Sequence, residues 1–545
     1  MNVEPLWRDR RAWGLGGLAV LTYLPGLGWG LPFATSDAGI RGWDVDAIIG
    51  IGVLAEFHNL LVEAKADWFV AYPLFHYLLL GACYAPYLAW LWLTGGMSAP
   101  TGGYPYGLAD PVTSIATFAL IGRSLTTLMA VGTVLAVYRA ARIVWDPRAG
   151  VMTGLLVMLS GPMVYLARTG NLDVPTLFWT SLGVLVLAHA SVRGLSIRRA
   201  ALIGVFAALS TATKDQAYGG WTAVILLLIL LHWRRLLPTG ESSGIPSWAA
   251  PAAMILGGRF VYVLASGIPV WPQRYLAHMH FILGYEEARF AFEELDLQRS
   301  RDLRGLSWLS LDFAKTVIAA LGPAIVLIAG AGAFSTRNRP PFHGLLAAML
   351  VGYLGLVIVP IAHMQFRYAL LPCFLLAFPA GAWFSGALQG SAVRRRTAIV
   401  LGALGFAWLV VNAGNLTYQM WFDARYPAGE WLAANVSPGA RIGFFGDKGQ
   451  LPAVPEGVIV ERLAGGSESL EELRRAPVDV VLVIPDYTAP AGGERSLFLS
   501  AAAHRALAGG TLPYVLAARF ETPAPWSVRY PFVNPPVSIF VRREP

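Results

Sequence analysis

The sequence predicts an α-helical polytopic membrane protein with a small C-terminal α/β domain, and three observations carry that expectation. Of its 545 residues, 56% are hydrophobic and only 14% charged, with a mean hydropathy of +0.54; a soluble domain carries about a quarter charged residues. Apolar blocks of roughly 20 residues recur along positions 1–420, each long enough to cross ~30 Å of hydrocarbon. From Trp421 onward the apolar blocks shorten to strand length and alternate with helical stretches. The blocks amount to about eleven spans plus juxtamembrane helices. The chain therefore divides into a transmembrane module, 1–420, and a soluble extracytoplasmic domain, 421–545.

The formal net charge of +8 is placed for topology, which argues against nucleic acid as a partner. Arg8, Arg10 and Arg11 precede the first apolar run, Trp13–Leu31. That run has the charge pattern of a signal peptide with Ala34 as a weak cleavage site. It is long for an h-region and many blocks follow, so it reads as an anchor with a cytoplasmic N-terminus. The clusters Arg139/Arg142/Arg148, Arg193/Arg198/Arg199, Arg234/Arg235, Arg337/Arg339 and Arg394/Arg395/Arg396 each lie between two apolar blocks and are assigned inside. The outward turns are then 169–173, 214–216, the loop 271–309, and 363–367. The last span, roughly Ala398–Met420, carries the C-terminal domain outward.

Parity adds a constraint. An even number of crossings must separate the N-terminus from the Arg139–Arg148 loop, yet three apolar blocks lie there: 13–31, 71–94 and 113–138. The block 71–94, broken by Pro73 and Pro86, reads as a juxtamembrane or re-entrant helix on the outer face. The first outer loop then runs over about 32–111. The C-terminal domain is expected to have strands at Arg441–Phe445, Val478–Pro485 and Val537–Arg542, with helices at Ala428–Asn435 and Ser467–Arg475. It carries neither a glycine-rich phosphate loop nor a nucleophile elbow. The two cysteines, Cys83 and Cys373, both sit in apolar segments, which excludes a structural disulfide in the soluble part and a cysteine-based metal site.

Ionisable residues at membrane depth cost about 2.5–3.5 kcal/mol each on insertion scales and are functional candidates by default. Four outward places hold them: Asp37 with Asp44 and Asp46; Arg168 through Asp173; Lys214-Asp215-Gln216; and His363 through Arg367. Glu56, Glu63, Lys65, Asp67 and Asp110 read instead as ordinary wet loop residues. Lysine occurs only at 65, 214, 315 and 448 in an arginine-dominated chain. Lys214 offers a compact ammonium suited to a phosphate met as a point charge, interfacial snorkelling being its bland alternative. Carboxylates beside Lys and Arg can hold an anionic group and activate a neighbouring hydroxyl. That chemistry alone does not choose among transferase, transporter and binding protein.

Several pieces, in order, resemble one family. They are Trp29-Gly-Leu-Pro32; Trp43-Asp44-Val45-Asp46-Ala47-Ile48; Tyr72-Pro73-Leu74-Phe75-His76-Tyr77; and Ala167-Arg168 through Asn171-Leu172-Asp173-Val174-Pro175. Then come Thr211-Ala-Thr-Lys214-Asp215; Arg367-Tyr368-Ala-Leu-Leu-Pro372; and Asp423-Ala-Arg425-Tyr426 with Glu430-Trp431. The chain resembles the GT-C superfamily of membrane glycosyltransferases, specifically the bacterial family similar to dolichyl-phosphate-mannose protein mannosyltransferases and lipid A aminoarabinose transferases. The resemblance covers nearly the whole chain. It implies a multi-pass protein of the bacterial inner membrane that takes a sugar from a polyprenyl-phosphate carrier. The sugar is passed, with inversion, to a lipid, glycan or protein acceptor on the outer face.

The resemblance also implies roles. The first-loop carboxylate is the general base: Asp46 fits best, with Asp44 and Asp37 as the other candidates. Lys214 and Arg367 steady the phosphate and Asp173 lines the pocket, with Arg168, Asp215, His363 and Tyr72 beside them. No obligatory metal is implied, since cationic residues suffice for a phosphate leaving group. The family's adjacent Asp-Glu pair is replaced by Asp44-Val45-Asp46-Ala47. That departure keeps a non-catalytic lipid-sugar-binding protein open, alongside a lipid-linked-sugar transporter or flippase.

Overall fold

The structure, a computed structural model, describes residues 8–34, 42–44, 50–63, 72–238, 246–283, 299–335, 341–445, 448–475, 478–484, 499–523, 530 and 532–543. Asp37, Asp46, Lys65, Asp67 and the Arg337/Arg339 loop lie outside the described residues. The chain forms two compact units. One comprises Met1–Pro25, Glu56–Cys83 and Arg123–Ala413; the other comprises Gly26–Ala55, Tyr84–Gly122 and Gly414–Pro545.

Among the described residues, five helical stretches are long and apolar enough to cross a membrane: Pro111–Val144, Asp173–Arg193, Pro341–Ile361, Phe366–Leu388 and Ala392–Asn435. The chain is a multi-pass membrane protein. The helices are α1 (Arg10–Tyr23), α2 (Gly50–His58), α3 (Phe75–Leu93), α4 (Pro111–Val144), α5 (Pro147–Leu159), α6 (Gly161–Leu166), α7 (Asp173–Arg193) and α8 (Ile197–Thr213). There follow α9 (Ala217–Trp233), α10 (Ala249–Ala265), α11 (Pro272–Leu283), α12 (Leu303–Leu321), α13 (Pro323–Phe334), α14 (Pro341–Tyr353), α15 (Leu370–Leu388) and α16 (Ala392–Trp421). The proline-broken block 71–94 forms α3, which keeps Pro86 inside it and is not among the five.

Local sequence sets the helix starts. Asp146 accepts from the backbone of Arg148 and Ala149 at 2.7 and 3.0 Å, with Pro147 opening α5; a side-chain acceptor and a first-turn proline both favour a helix start. Asp302 caps α12 through Gly305 N at 2.7 Å. Asp9 caps α1 through Arg11 N at 3.1 Å and also bonds Tyr138 and Arg142. Burial raises its carboxyl pKa, but the donors from Tyr138, Arg11 and Arg142 outweigh that and hold it below the ordinary carboxylate range. This contact ties the start of α1 to the C-terminal part of α4.

The stretch between the expected outward loop and the Arg337/Arg339 loop departs from expectation. In place of one straight span, α12 and α13 meet at a bend of 108°. Gly322 sits at the break with φ +81°, and a Cβ there would lie 2.7 Å from the Trp408 ring. The preceding loop, 271–309, is also not irregular throughout, since it contains α11.

With no hydrophobic force between helices in lipid, close approach depends on small residues. A Cβ on Gly204 of α8 would lie 2.0 Å from the Met254 carbonyl oxygen of α10, and one on Gly352 of α14 would lie 2.4 Å from the Gly219 carbonyl oxygen of α9. These pairs therefore meet backbone to backbone.

The second unit holds a five-stranded sheet: β1 (Arg441–Phe444), β2 (Ile459–Arg462), β3 (Val480–Val483), β4 (Tyr514–Phe520) and β5 (Val537–Arg542), in the order β2-β1-β3-β5-β4. The first three pair in parallel, while β5 pairs antiparallel with β3 and β4. Successive β3 residues enter different cores: Val481 packs with Leu473, Leu507 and Tyr514, Val480 and Leu482 with Leu432, Ile442 and Val537. That two-sided burial gives the continuous apolar run of a covered strand. Helices α17 (Arg425–Asn435), α18 (Ser469–Arg475) and α19 (Ala501–Ala508) accompany the sheet.

Gly204→Leu should destabilise the detergent-solubilised protein by about 1–3 kcal/mol or more through overpacking against α10. Gly14→Leu, at a position with nothing within 4 Å, should leave the melting temperature unchanged. Equal melting temperatures for both variants would refute the backbone-to-backbone packing.

Candidate functional site

Helices α7 and α8 form a hairpin joined by Gly194-Leu195-Ser196, and its polar seam leads to the site. Ser196 caps α8 through Arg199 N at 3.3 Å. Midway, the Thr180 and Ser210 hydroxyls lie 2.7 Å apart, and Ser210 also donates to the Thr176 carbonyl at 3.3 Å. At the open end, Lys214 Nζ donates to Asp173 Oδ1 at 2.7 Å, with side chains only 6% and 10% exposed. Asp173 opens α7 and Lys214 follows the last turn of α8, so each charge also faces the helix-dipole end that favours it. Asn171 fixes the entry, its Oδ1 accepting from Asp173 N at 2.7 Å.

A pocket of about 50 Å³ opens beside this pair, lined by Asp173, Thr176, Lys214, Trp221, Tyr353 and Arg367, among others. The Arg367 guanidinium lies 5.3 Å from the Tyr368 ring centroid. On the lining residues, Asp173 Oδ2, Thr176 Oγ1 and Trp221 Nε1 are buried and make no hydrogen bond. A buried polar atom left without a partner costs about 1–3 kcal/mol, so each one calls for a physical explanation, a bound group among them.

The Thr213-Lys214-Asp215 turn also faces a second cluster. His278 Nε2 lies 3.3 Å from Asp215. One turn earlier on α11, Arg274 Nε donates to Glu56 Oε1 at 2.8 Å and its Nη2 donates to the Tyr72 carbonyl at 3.0 Å. Glu56 and Arg274 are both fully buried, at 1% side-chain exposure. Glu56 is therefore not the wet loop residue the sequence suggests: the segment that carries it is buried, and the only way to keep its charge there is a buried cation. Asp110 keeps the solvent-exposed role expected of it, accepting from Thr113 N at 3.1 Å.

In the other unit, Asp44 is buried at 8% exposure, next to Trp43, whose Nε1 donates to the Leu451 carbonyl at 3.0 Å. Trp43 packs edge-on against Tyr426 and over Gly30, which has φ +54° and no room for a Cβ. The Arg425 guanidinium sits 3.9 Å from the Trp43 ring centroid. It donates to both oxygens of Asp423 at 2.9 and 2.8 Å and to the Phe532 carbonyl at 2.7 Å. Asp423 Oδ2 further accepts from Trp29 Nε1 at 3.0 Å and Asn534 N at 2.8 Å. The Trp29-Gly30, Trp43 and Asp423-Ala-Arg425-Tyr426 motifs are thus one buried network.

Of the residues expected at the site, Asp173, Lys214 and Arg367 share the pocket, while Asp215 and Tyr72 join the Arg274/His278 cluster. Arg168 is buried elsewhere, its Nη2 donating to the Thr22 carbonyl at 2.8 Å. His363 stands in the turn after Ile361 and does not line the pocket. Sequence reasoning missed Thr176, Trp221, Arg274 and His278. A signal existed for two pairs: Asp173 and Thr176 are three apart on one helix, and Arg274 and His278 are four apart, spacings that share a helix face. Among the described residues no group of three His, Cys, Asp or Glu side chains is arranged to hold a metal.

No family model and no curated protein matches the chain. Solved structures that resemble it include an oligosaccharyltransferase of Archaeoglobus fulgidus tethered with an acceptor peptide, at 10% identity and TM-score 0.46, covering 88% of this chain and 70% of that one. Arabinofuranosyltransferase AftD from Mycobacteria matches at 16% identity and TM-score 0.47, covering 98% and 40%. The S. cerevisiae protein O-mannosyltransferase Pmt1-Pmt2 complex bound to the sugar donor matches at 16% identity and TM-score 0.34, covering 49% and 34%. The neighbours of this multi-pass membrane protein are glycosyltransferases.

Removing one partner of a buried ion pair costs about 3–5 kcal/mol, whereas replacing both with apolar groups is often neutral. Asp423→Leu alone should therefore lower the melting temperature steeply, and the double variant Asp423→Leu/Arg425→Met should recover part of the loss. A double variant no better than the single would show that the guanidinium does not depend on that carboxylate.

Proposed function

We propose that the chain is an inverting GT-C glycosyltransferase that moves a sugar from a polyprenyl-phosphate donor to a lipid, glycan or protein acceptor. The observation that carries this reading is the pocket where Lys214 and Arg367 meet Asp173 and partnerless hydrogen-bonding groups inside an apolar bundle. A lipid-borne phosphate calls for that combination, since cations gain strength where water is excluded. Reaction is a single displacement. The acceptor oxygen attacks the anomeric carbon, the bond from that carbon to the phosphate oxygen breaks, and the phosphate leaves with the electron pair. A first-loop carboxylate takes the acceptor's proton: Asp44, Asp46 or Asp37. Lys214 and Arg367 neutralise the leaving phosphate.

The remaining assignments follow the same reading. Residues 1–420 form the transmembrane module of about eleven spans, the shorter helices supplying those beyond the five long ones. Residues 421–545 form an extracytoplasmic domain, and arginine placement sets a cytoplasmic N-terminus in a bacterial inner membrane.

The test is a transfer assay in proteoliposomes with radiolabelled polyprenyl-phosphate sugars and a crude membrane acceptor. It compares wild type with Asp44→Asn, Asp46→Asn and Lys214→Ala. Wild type should move label, one Asp→Asn variant should lose at least 100-fold in turnover while still binding donor, as expected for a general base contributing about 10²–10⁴-fold, and Lys214→Ala should bind donor weakly. Equal donor binding by all four with no transfer to any acceptor would overturn the transferase reading in favour of transport or binding.

A further inference from the structure

The pocket's hydrogen-bonding inventory is specific about what enters it. Asp173 Oδ2 only accepts, Trp221 Nε1 only donates, and the Thr176 hydroxyl does both; all three are buried and none has a partner. A phosphate offers acceptors alone, so it cannot donate to Asp173 Oδ2 and its charge opposes that carboxylate. A sugar hydroxyl both donates and accepts, and two or three of them along one ring edge satisfy all three atoms. Size agrees. At about 50 Å³ the pocket has room for roughly three or four water-sized groups, which matches the hydroxyls of one ring edge.

The groups are also held in place. Asp173 is oriented by Lys214 on its other oxygen at 2.7 Å. The Trp221 indole is wedged at Gly183, where a Cβ would lie 2.4 Å from the ring, so Nε1 has little freedom to turn away. Thr176 follows Asp173 by three residues on α7 and presents its hydroxyl on the same face.

We infer that this pocket, through Asp173 Oδ2, Thr176 Oγ1 and Trp221 Nε1, binds the hydroxyl-bearing edge of the donor's sugar and discriminates among sugars. The phosphate lies toward Lys214 and Arg367. The inference rests on the polyprenyl-phosphate-sugar reading above and adds which groups read the sugar.

The experiment measures binding of decaprenyl phosphate, and of decaprenyl phosphate carrying mannose, glucose or arabinofuranose, to the full chain in nanodiscs. Wild type is compared with Thr176→Val and Trp221→Phe, which keep shape but remove one hydrogen-bonding group each. Wild type should bind at least one glycosylated carrier more tightly than the bare carrier. Each variant should weaken that binding about tenfold, in line with one lost hydrogen bond, and leave bare-carrier affinity unchanged, which also reports intact folding. Equal losses for bare and glycosylated carriers, no loss for either, or a wild type that binds both alike would each overturn the sugar-edge assignment while leaving carrier binding intact. A wild type that binds no carrier at all would overturn the donor reading together with it.

Discussion

The Lys214–Asp173 ion pair is the constraint around which the helical unit is organised. Two charges are held where water is scarce, which is tolerable only if each compensates the other and geometry is good. The hairpin of α7 and α8 supplies that geometry: its short turn puts the start of one helix beside the end of the other. The polar seam of Thr176, Thr180 and Ser210 then runs along the hairpin toward the same point. Once the pair is fixed, Arg367 and the α9 face bearing Trp221 can close a pocket around it, because glycine allows α9 and α14 to approach backbone to backbone. Function and packing are therefore not separable here: the residues that let the helices meet also define the space between them.

The neighbouring turn residue extends the arrangement. Asp215 meets His278, while Arg274, one turn earlier, holds Glu56 and the Tyr72 backbone. One short helix thus connects the Lys214 turn to Glu56 and Tyr72. A second, independent buried charge network organises the other unit, where Asp423 accepts donors from Trp29, Arg425 and Asn534. Near the start of α17, Asp423 is a hub because it accepts several donors, whose number offsets its desolvation.

Much of this was legible in the sequence because membranes simplify the code. Apolar block length and arginine placement are one-dimensional signals, so the multi-pass class, the change of character after Trp421 and the strands at Arg441 and Val537 could be read directly. Lys214 stood out by rarity, and Asp173 and Arg367 by lying at turns too short to escape the bilayer surface. What could not be read depended on contacts between distant segments. Glu56 looks like any loop carboxylate until Arg274, 218 residues on, is placed against it. The bend at Gly322 needs the position of Trp408 to explain it. Strand β2, Ile459–Arg462, is short and half charged, and β4 contains the helix-favouring Ala-Ala-Arg, so sheet pairing rather than local preference decides both.

The contact between Asp9 and Arg142 bears on how the protein is made. The two residues are 133 positions apart. At ribosomal elongation rates of about 5–20 residues per second, the first helix leaves the ribosome roughly 7–27 s before its counter-ion exists. During that interval the Asp9 carboxylate lacks both Tyr138 and Arg142. Completion of α4 then supplies Tyr138 and Arg142 together. The first helix is in this sense seated late, its final register a product of assembly with α4.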